Sequence, residues 1–397
     1  MRFFGWQLAI AIAIGSFSAQ LRAQDVVGQW AYRRLSKAHE ALQENQIPEA
    51  LAHMDEMKGR KHLNDHERAL MWQTYGFIYS GQERFKEAAA AFESCLALGA
   101  LPEEAQLNTQ YNLGQLYLSI GKYQKATVTL EGWFEKAKNP APRALFVIAM
   151  AYAQDKQFKK GLYYAQQAVA QVEKPDESWL QLALSLCLEL EDFAQGEVLL
   201  KRLIERMPSS KNYWLQLSAV YNELDDEHRA LAVMELAHRQ GFLTQAADVL
   251  HLAQLYLQQG VPMQGAKLIE GGLHNGSLTK SHKVMRIYAT CLIQGRDLER
   301  ALEPLAYAAS LDEDGDLDIQ LAQLHMARQA WDQAAVAIEA GLAKAKLTDE
   351  PHAHLLLGIA QYSAGRKAAA RRAFEQATRF QSTQKAATQW LRSLENR

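Results

Sequence analysis

Trp72-Gln-Thr-Tyr-Gly-Phe-Ile-Tyr79, followed by Phe85-Lys-Glu-Ala88 and then Phe92, holds the plan of the whole chain in twenty-one residues. Gly76 and Ala88 are small, and Phe92 stands four residues beyond Ala88. Spacings of three and four keep residues on one face of a helix. A small residue on one helix facing a bulky one on the next lets two backbones approach closely. The stretch therefore predicts two short helices joined by a turn near Gly81.

The same arrangement recurs along the sequence. Small residues stand at Ala50, Ala88, Ala126, Gly161, Gly196, Ala230, Gly265, Ala301, Ala334 and Ala370, spaced 33 to 38 residues apart. Four residues after each comes Met54, Phe92, Leu130, Ala165, Leu200, Met234, Ile269, Leu305, Ile338 or Phe374. Twelve residues before each lies Ala38, Gly76, Gly114, Ala149, Leu184, Ser218, Ala253, Ala289, Ala322 or Gly358. Three beyond five of these positions are Tyr79, Tyr117, Tyr152, Tyr221 and Tyr256. A period of this length over ten copies is the mark of stacked helical hairpins. Gly121, Gly260 and Gly365 fall in turns within a unit, and Pro102, Pro140, Pro175, Pro208 and Pro351 between units. Pro262 and Pro304 enter second helices and are expected to shift their starts. After the last copy, Ala386, Ala387, Trp390, Leu391 and Leu394 form a one-faced helix, which a terminal repeat needs as a cap.

These motifs resemble the tetratricopeptide repeat, whose signature runs Trp-x2-Leu-Gly-x2-Tyr and then Ala, Phe and Pro. Tyr111-Asn-Leu-Gly114-Gln-Leu-Tyr117 with Ala126, and Trp214-Leu-Gln-Leu217-Ser-Ala-Val-Tyr221, are further good copies. The resemblance spans roughly residues 30 to 380. It implies an all-α superhelical solenoid of about ten helix-turn-helix repeats over 24–382, closed by a capping helix over 383–397.

Composition agrees with such an array. The 397 residues carry 43 Lys plus Arg against 45 Asp plus Glu, a net charge of −2, and 48% are hydrophobic. That balance argues against a nucleic-acid binder, which needs clustered positive charge. Three cysteines, Cys95, Cys187 and Cys291, each in an apolar helical stretch, exclude a disulfide framework. Residues 1–23 place Arg2 before the apolar run Leu8–Ile14 and a small residue at Ala23. This is the layout of a cleavable secretory signal, too short for a permanent membrane span, and the mature chain is expected outside the cytoplasm.

Catalytic motifs are not found: no nucleophile elbow, no P-loop, no dinucleotide-binding glycine pattern. The chain is expected to be no enzyme and to hold no cofactor. His62 and His66 stand at helical i, i+4 spacing, and Asp312, Asp314, Asp316 and Asp318 cluster in one connection. The first pair lacks the four ligands of a closed zinc site, and the second has its glycine misplaced for an EF-hand loop. Both are expected to be ordinary polar connections, the acidic one capping the helix after it.

What remains is surface. In tetratricopeptide proteins the first helix of each unit lines a concave groove. The matching positions are Gln73 and Phe77; Tyr111, Gln115 and Leu118; Phe146 and Met150; Asn212, Leu215 and Asn222; and Gln254. Amides among aromatic and aliphatic groups suit an extended or helical peptide. The basic residues with which some family members clamp a C-terminal carboxylate do not recur at these positions. More narrowly, Asn212-Tyr-Trp-Leu-Gln-Leu-Ser-Ala-Val-Tyr221, Arg229-Ala-Leu-Ala-Val-Met234, Arg239-Gln-Gly-Phe-Leu243, Leu252-Ala-Gln-Leu-Tyr-Leu257, Gly260-Val-Pro262 and Gln389-Trp-Leu391 resemble the tetratricopeptide component found with TonB systems of Gram-negative bacteria. That resemblance implies a periplasmic accessory of TonB–ExbB–ExbD in iron–siderophore uptake. A scaffold for another envelope complex (outer-membrane protein, pilus or exopolysaccharide assembly) is the other reading.

Overall fold

A computed structural model describes residues 27–344 and 346–395. The expected secretory signal therefore lies outside the described residues. Twenty-one helices are found among them, with no strand beyond an isolated bridge between Asp314 and Lys346. None of these helices is long and apolar enough to cross a membrane.

The chain divides into two compact units, Met1–Leu199 and Leu200–Arg397. In the first, the hairpins are α1 (Gln29–Gln43) with α2 (Ile47–Lys58), α3 (Asp65–Gly81) with α4 (Phe85–Ala97), α5 (Glu103–Ser119) with α6 (Tyr123–Phe134), and α7 (Pro142–Gln154) with α8 (Phe158–Ala170). They are followed by α9 (Glu177–Glu189) and α10 (Phe193–Arg206), and the division falls inside α10. The second unit continues with α11 (Lys211–Glu223) and α12 (Glu227–Arg239), α13 (Ala246–Gln258) and α14 (Pro262–His274), and α15 (His282–Gln294) and α16 (Leu298–Ser310). It ends with α17 (Asp316–Ala327) and α18 (Trp331–Ala343), α19 (Glu350–Ser363) and α20 (Lys367–Ala377), and the single α21 (Gln384–Glu395).

Close packing follows the small-to-bulky rule read from the sequence. A methyl group on Gly76 would lie 2.3 Å from the Phe92 ring, and one on Gly358 2.4 Å from the Phe374 ring. Each second helix buries its small residue completely: Ala50, Ala88, Ala126, Ala230, Ala301, Ala334 and Ala370 are all inaccessible to solvent. Where helices of like position touch, they are first helices, α1 with α3, α7 with α9 and α13 with α15, whereas second helices meet the first helices beside them. The first-helix row is therefore the inner, closer-packed layer of each unit.

Each turn within a hairpin is three residues long and follows one backbone plan. Its middle residue has positive φ, and its third N–H donates to a carbonyl five residues back, as Arg84 does to Tyr79 and Gln157 to Tyr152. This satisfies a carbonyl that the end of the first helix leaves free. Gly121, Gly260 and Gly365 take the middle position in three turns, but Glu83, Lys156, Glu191, Asp225 and Arg296 take it in others.

Pro262 is the first residue of α14, where its missing N–H has no partner to lose. Pro304 does not shift a helix start: it is buried inside α16, which begins at Leu298. At the C-terminal end Trp390 of α21 stacks on Phe374 with ring centres 5.5 Å apart and lies 5.4 Å from Tyr362. The helix α21 thus covers the apolar side of the hairpin α19–α20.

Candidate functional site

On the first-helix row of the first unit, side chains fill one another's space. Gln73 is buried, and its Nε2 donates to Thr109 Oγ1 of the next hairpin at 2.8 Å. Leu118 and Phe146 are also buried, and Phe146 stacks on Trp179 with ring centres 5.3 Å apart. Phe77 is half-buried with its ring at an angle of 77° to that of Phe92. Tyr111 leans on Trp133 at 4.7 Å, and burial pushes its hydroxyl up to about 12. Gln115 and Met150 keep part of their surface. Three of the seven groove positions expected here thus face packing.

The second unit differs. Asn212, Asn222 and Gln254 are exposed, and Leu215 is half-buried. Ala219 and Ala247 on the same two helices are exposed as well. The same offsets carried one and two repeats further reach Lys283 and Arg286 on α15 and Gln323 on α17, all exposed; Gln320, exposed as well, stands one residue past the half-buried Ile319 that holds the offset of Leu215. Arg286 stands three residues before Ala289 as Leu215 does before Ser218, so the signal was in the repeat register although the sequence reading stopped at Gln254.

Sequence reasoning also missed a polar ladder along the seams between hairpins. Tyr117 donates its hydroxyl to Glu93 of the preceding hairpin, and Lys125 Nζ approaches the same carboxylate at 3.2 Å. Tyr152 bonds Glu131, which also takes Lys160 at 3.0 Å, and Tyr256 donates to Glu235 at 2.6 Å. The Tyr117 hydrogen bond, ahead of the lysine, holds Glu93 below the usual carboxylate range; Tyr152 does the same for Glu131. Each of these glutamates follows its small residue by five positions. The ladder locks neighbouring hairpins and is consumed by that role.

The two metal candidates come apart in the structure. The helix α3 begins at Asp65 behind an Asn64 cap, so His62 lies in the exposed turn before it and shares no helix face with His66. His66 Nδ1 instead lies 2.7 Å from the Ala100 carbonyl oxygen. In the acidic connection, Asp312 meets His282 at 3.2 Å, Asp316 accepts from the Thr348 backbone and hydroxyl, and Asp318 takes Lys344. These carboxylates close each hairpin on the connection that follows it, Asp312 reaching back to the start of α15 and Asp316 and Asp318 of α17 holding the segment after α18, and Gly315 occupies the cap position of α17 without a side-chain bond. Among the described residues no three His, Cys, Asp or Glu side chains gather as metal ligands would. The three cysteines are free and buried, and burial raises their thiols to about 12, 11 and 11 for Cys95, Cys187 and Cys291. Such thiols are poor nucleophiles at neutral pH.

Two family models described as tetratricopeptide repeat match the chain, one over residues 319–393 and the other over 63–98 and 107–138. Among solved structures, a tetratricopeptide repeat protein from Parabacteroides merdae is 16% identical, with 67% of this chain and 100% of that one covered and a TM-score of 0.38. YrrB, described as a tetratricopeptide protein with an unusual peptide-binding site, is 16% identical over 48% of this chain and 96% of its own, with a TM-score of 0.39. The MamA fragment from Desulfovibrio magneticus RS-1 is 20% identical over 54% and 99%, with a TM-score of 0.31. No curated protein matches the sequence. The matched segments are tetratricopeptide repeats, and the fold is the all-α hairpin array that such repeats build.

Proposed function

We propose that this tetratricopeptide array is a binding scaffold for protein partners that dock on first-helix faces, that of the second unit offering Asn212, Leu215, Asn222 and Gln254 and that of the first, by itself, Phe77, Tyr111, Gln115 and Met150. The observation that carries the reading is the row of uncovered amides on the second unit's inner helices. An amide carries donors and an acceptor, so it can pair with the backbone of an extended segment whatever its sequence. Binding of this kind is modest in affinity, since ordering a flexible segment offsets much of the contact energy.

The finer reading is that the chain is exported by way of residues 1–23 and works in the periplasm as an accessory of a TonB–ExbB–ExbD system. Its support is the sequence resemblance carried by the stretches between residues 212 and 262 and by Gln389-Trp-Leu391, together with the signal-like leader. Deletion of the protein should impair siderophore-dependent growth, and in-cell cross-linking followed by mass spectrometry should recover TonB, ExbB or ExbD. N-terminal sequencing of the mature chain should begin at Gln24. Unimpaired uptake, with cross-links to an outer-membrane assembly, pilus or exopolysaccharide component, would move the scaffold to that complex.

A further inference from the structure

The first helices of the second unit carry three Lys or Arg side chains among the described residues: Lys211, Lys283 and Arg286. Lys211 is committed, its Nζ lying 3.0 Å from Asp248. Lys283 and Arg286 are exposed, and neither has a carboxylate within ion-pair distance. They stand three residues apart on α15, on one stripe with Thr290 and Gln294, while Val284, Met285, Ile287, Tyr288 and Ala289 are buried. Both cations therefore point away from the packed side of the helix.

The flanking inner helices set no free carboxylate beside them; Glu313, exposed in the connection before α17, stands one residue past the Asp312 that meets His282. The exposed stripe of α13 offers His251 and Gln254, and that of α17 offers Gln320 and Gln323. The carboxylates of these inner helices are engaged: Asp248 with Lys211, Asp316 with Thr348, Asp318 with Lys344, and Glu350 with His354. Glu223 is free but ends α11, two hairpins before α15. Helix stability does not account for the cations either. Like charges three residues apart repel, and positive charge near a helix N-terminus opposes the backbone dipole. The α15 first turn, unlike those of α13, α17 and α19, contains no acidic residue.

We propose that the inner face formed by α13, α15 and α17 binds an extended acidic segment of a partner protein, with Lys283 and Arg286 taking its side-chain carboxylates and Gln254, Gln320 and Gln323 its backbone. This rests on the scaffold reading and gives the partner a chemistry. α13 touches α15, and helices in contact lie about 8–10 Å apart, so a segment running on to α17 crosses at least roughly 20 Å. An extended chain covers that span with about six residues.

The test is fluorescence anisotropy on the full chain with a labelled, C-terminally amidated peptide of about ten residues, glutamates alternating with serines, against its glutamine counterpart. The glutamate peptide is expected to bind roughly tenfold tighter at low ionic strength, with the preference fading as salt rises. Lys283→Gln with Arg286→Gln should abolish the preference while leaving the thermal midpoint unchanged or higher, and Lys267→Gln on α14 should alter neither. A preference that survives the double substitution, or that appears only with a free peptide C-terminus, overturns the proposal. A photo-cross-linker at Gln254 in cells separates the two levels. An adduct with a partner, without any glutamate preference, overturns the acidic chemistry and leaves the scaffold reading standing. Neither adduct nor preference overturns both.

Discussion

Gly76 against Phe92 shows how much one hydrogen atom decides here. A methyl group at position 76 would fall 2.3 Å from the ring, far inside contact distance, and Phe92 is fully buried with nowhere to turn. Gly76→Ala should cost about 2 kcal/mol, and adding Phe92→Leu should restore part of it, as read from urea midpoints at constant m. That pair was legible in sequence because its members recur sixteen residues apart in repeat after repeat. Tyr117 with Glu93 was not, because the partners sit 24 residues apart on different hairpins and both types are common on surfaces. Tyr117→Phe should destabilise by about 1 kcal/mol at neutral pH, the open side of the carboxylate being screened by water. The sign with pH follows from the depressed Glu93: its contribution is present above the unfolded-state value and is lost as pH falls through the lower folded one. The penalty of Tyr117→Phe should accordingly shrink between about pH 5 and pH 3, measured by denaturant unfolding across that range.

Hairpins were readable from the small-residue register, but their turns were not. The glycines at 121, 260 and 365 marked three, whereas Lys156 in the same left-handed conformation carries no compositional sign of it. The turn is imposed by the helices that it joins, which overrule the preference of the residue inside it. Lys156→Gly should then stabilise the protein by about 0.5–1 kcal/mol, since it removes a Cβ clash from an exposed turn, seen as a raised thermal midpoint. Pro304 taught the converse: read alone it announces a helix start, yet flanking contacts of Leu305, Ala308 and Ala309 keep α16 continuous around it. The cap α21 belongs to the same scale. Trp390→Ala should cost about 2 kcal/mol and speed amide exchange in α19 and α20, leaving α1 to α8 unchanged, because each hairpin leans on its neighbours alone. Uniform loss of protection along the chain would contradict that.

At the scale of the whole molecule, the array as a class of fold was legible and the working face only in part. Periodicity names which residues leave the hairpin contact, and it does so equally for Gln73 and Gln254. It does not say that Gln73 will be covered by a hydrogen bond to Thr109 while Gln254 stays open, for Gln73 stands three residues before its small residue, where Leu250 is buried in the other repeat, and Gln254 one residue after its own. Nor did it reach Lys283 and Arg286, because the offsets were not carried to the last repeats. The account's central claim is that the inner helices, and not the outer ones, meet the partner. Incorporating a photo-reactive phenylalanine analogue in cells at Gln254, Gln320 and Gln323, and for comparison at the exposed outer-helix positions Val336 and Leu236, tests it directly. The account predicts one discrete adduct from the inner positions and none from the outer pair; adducts confined to Val336 and Leu236 would contradict it.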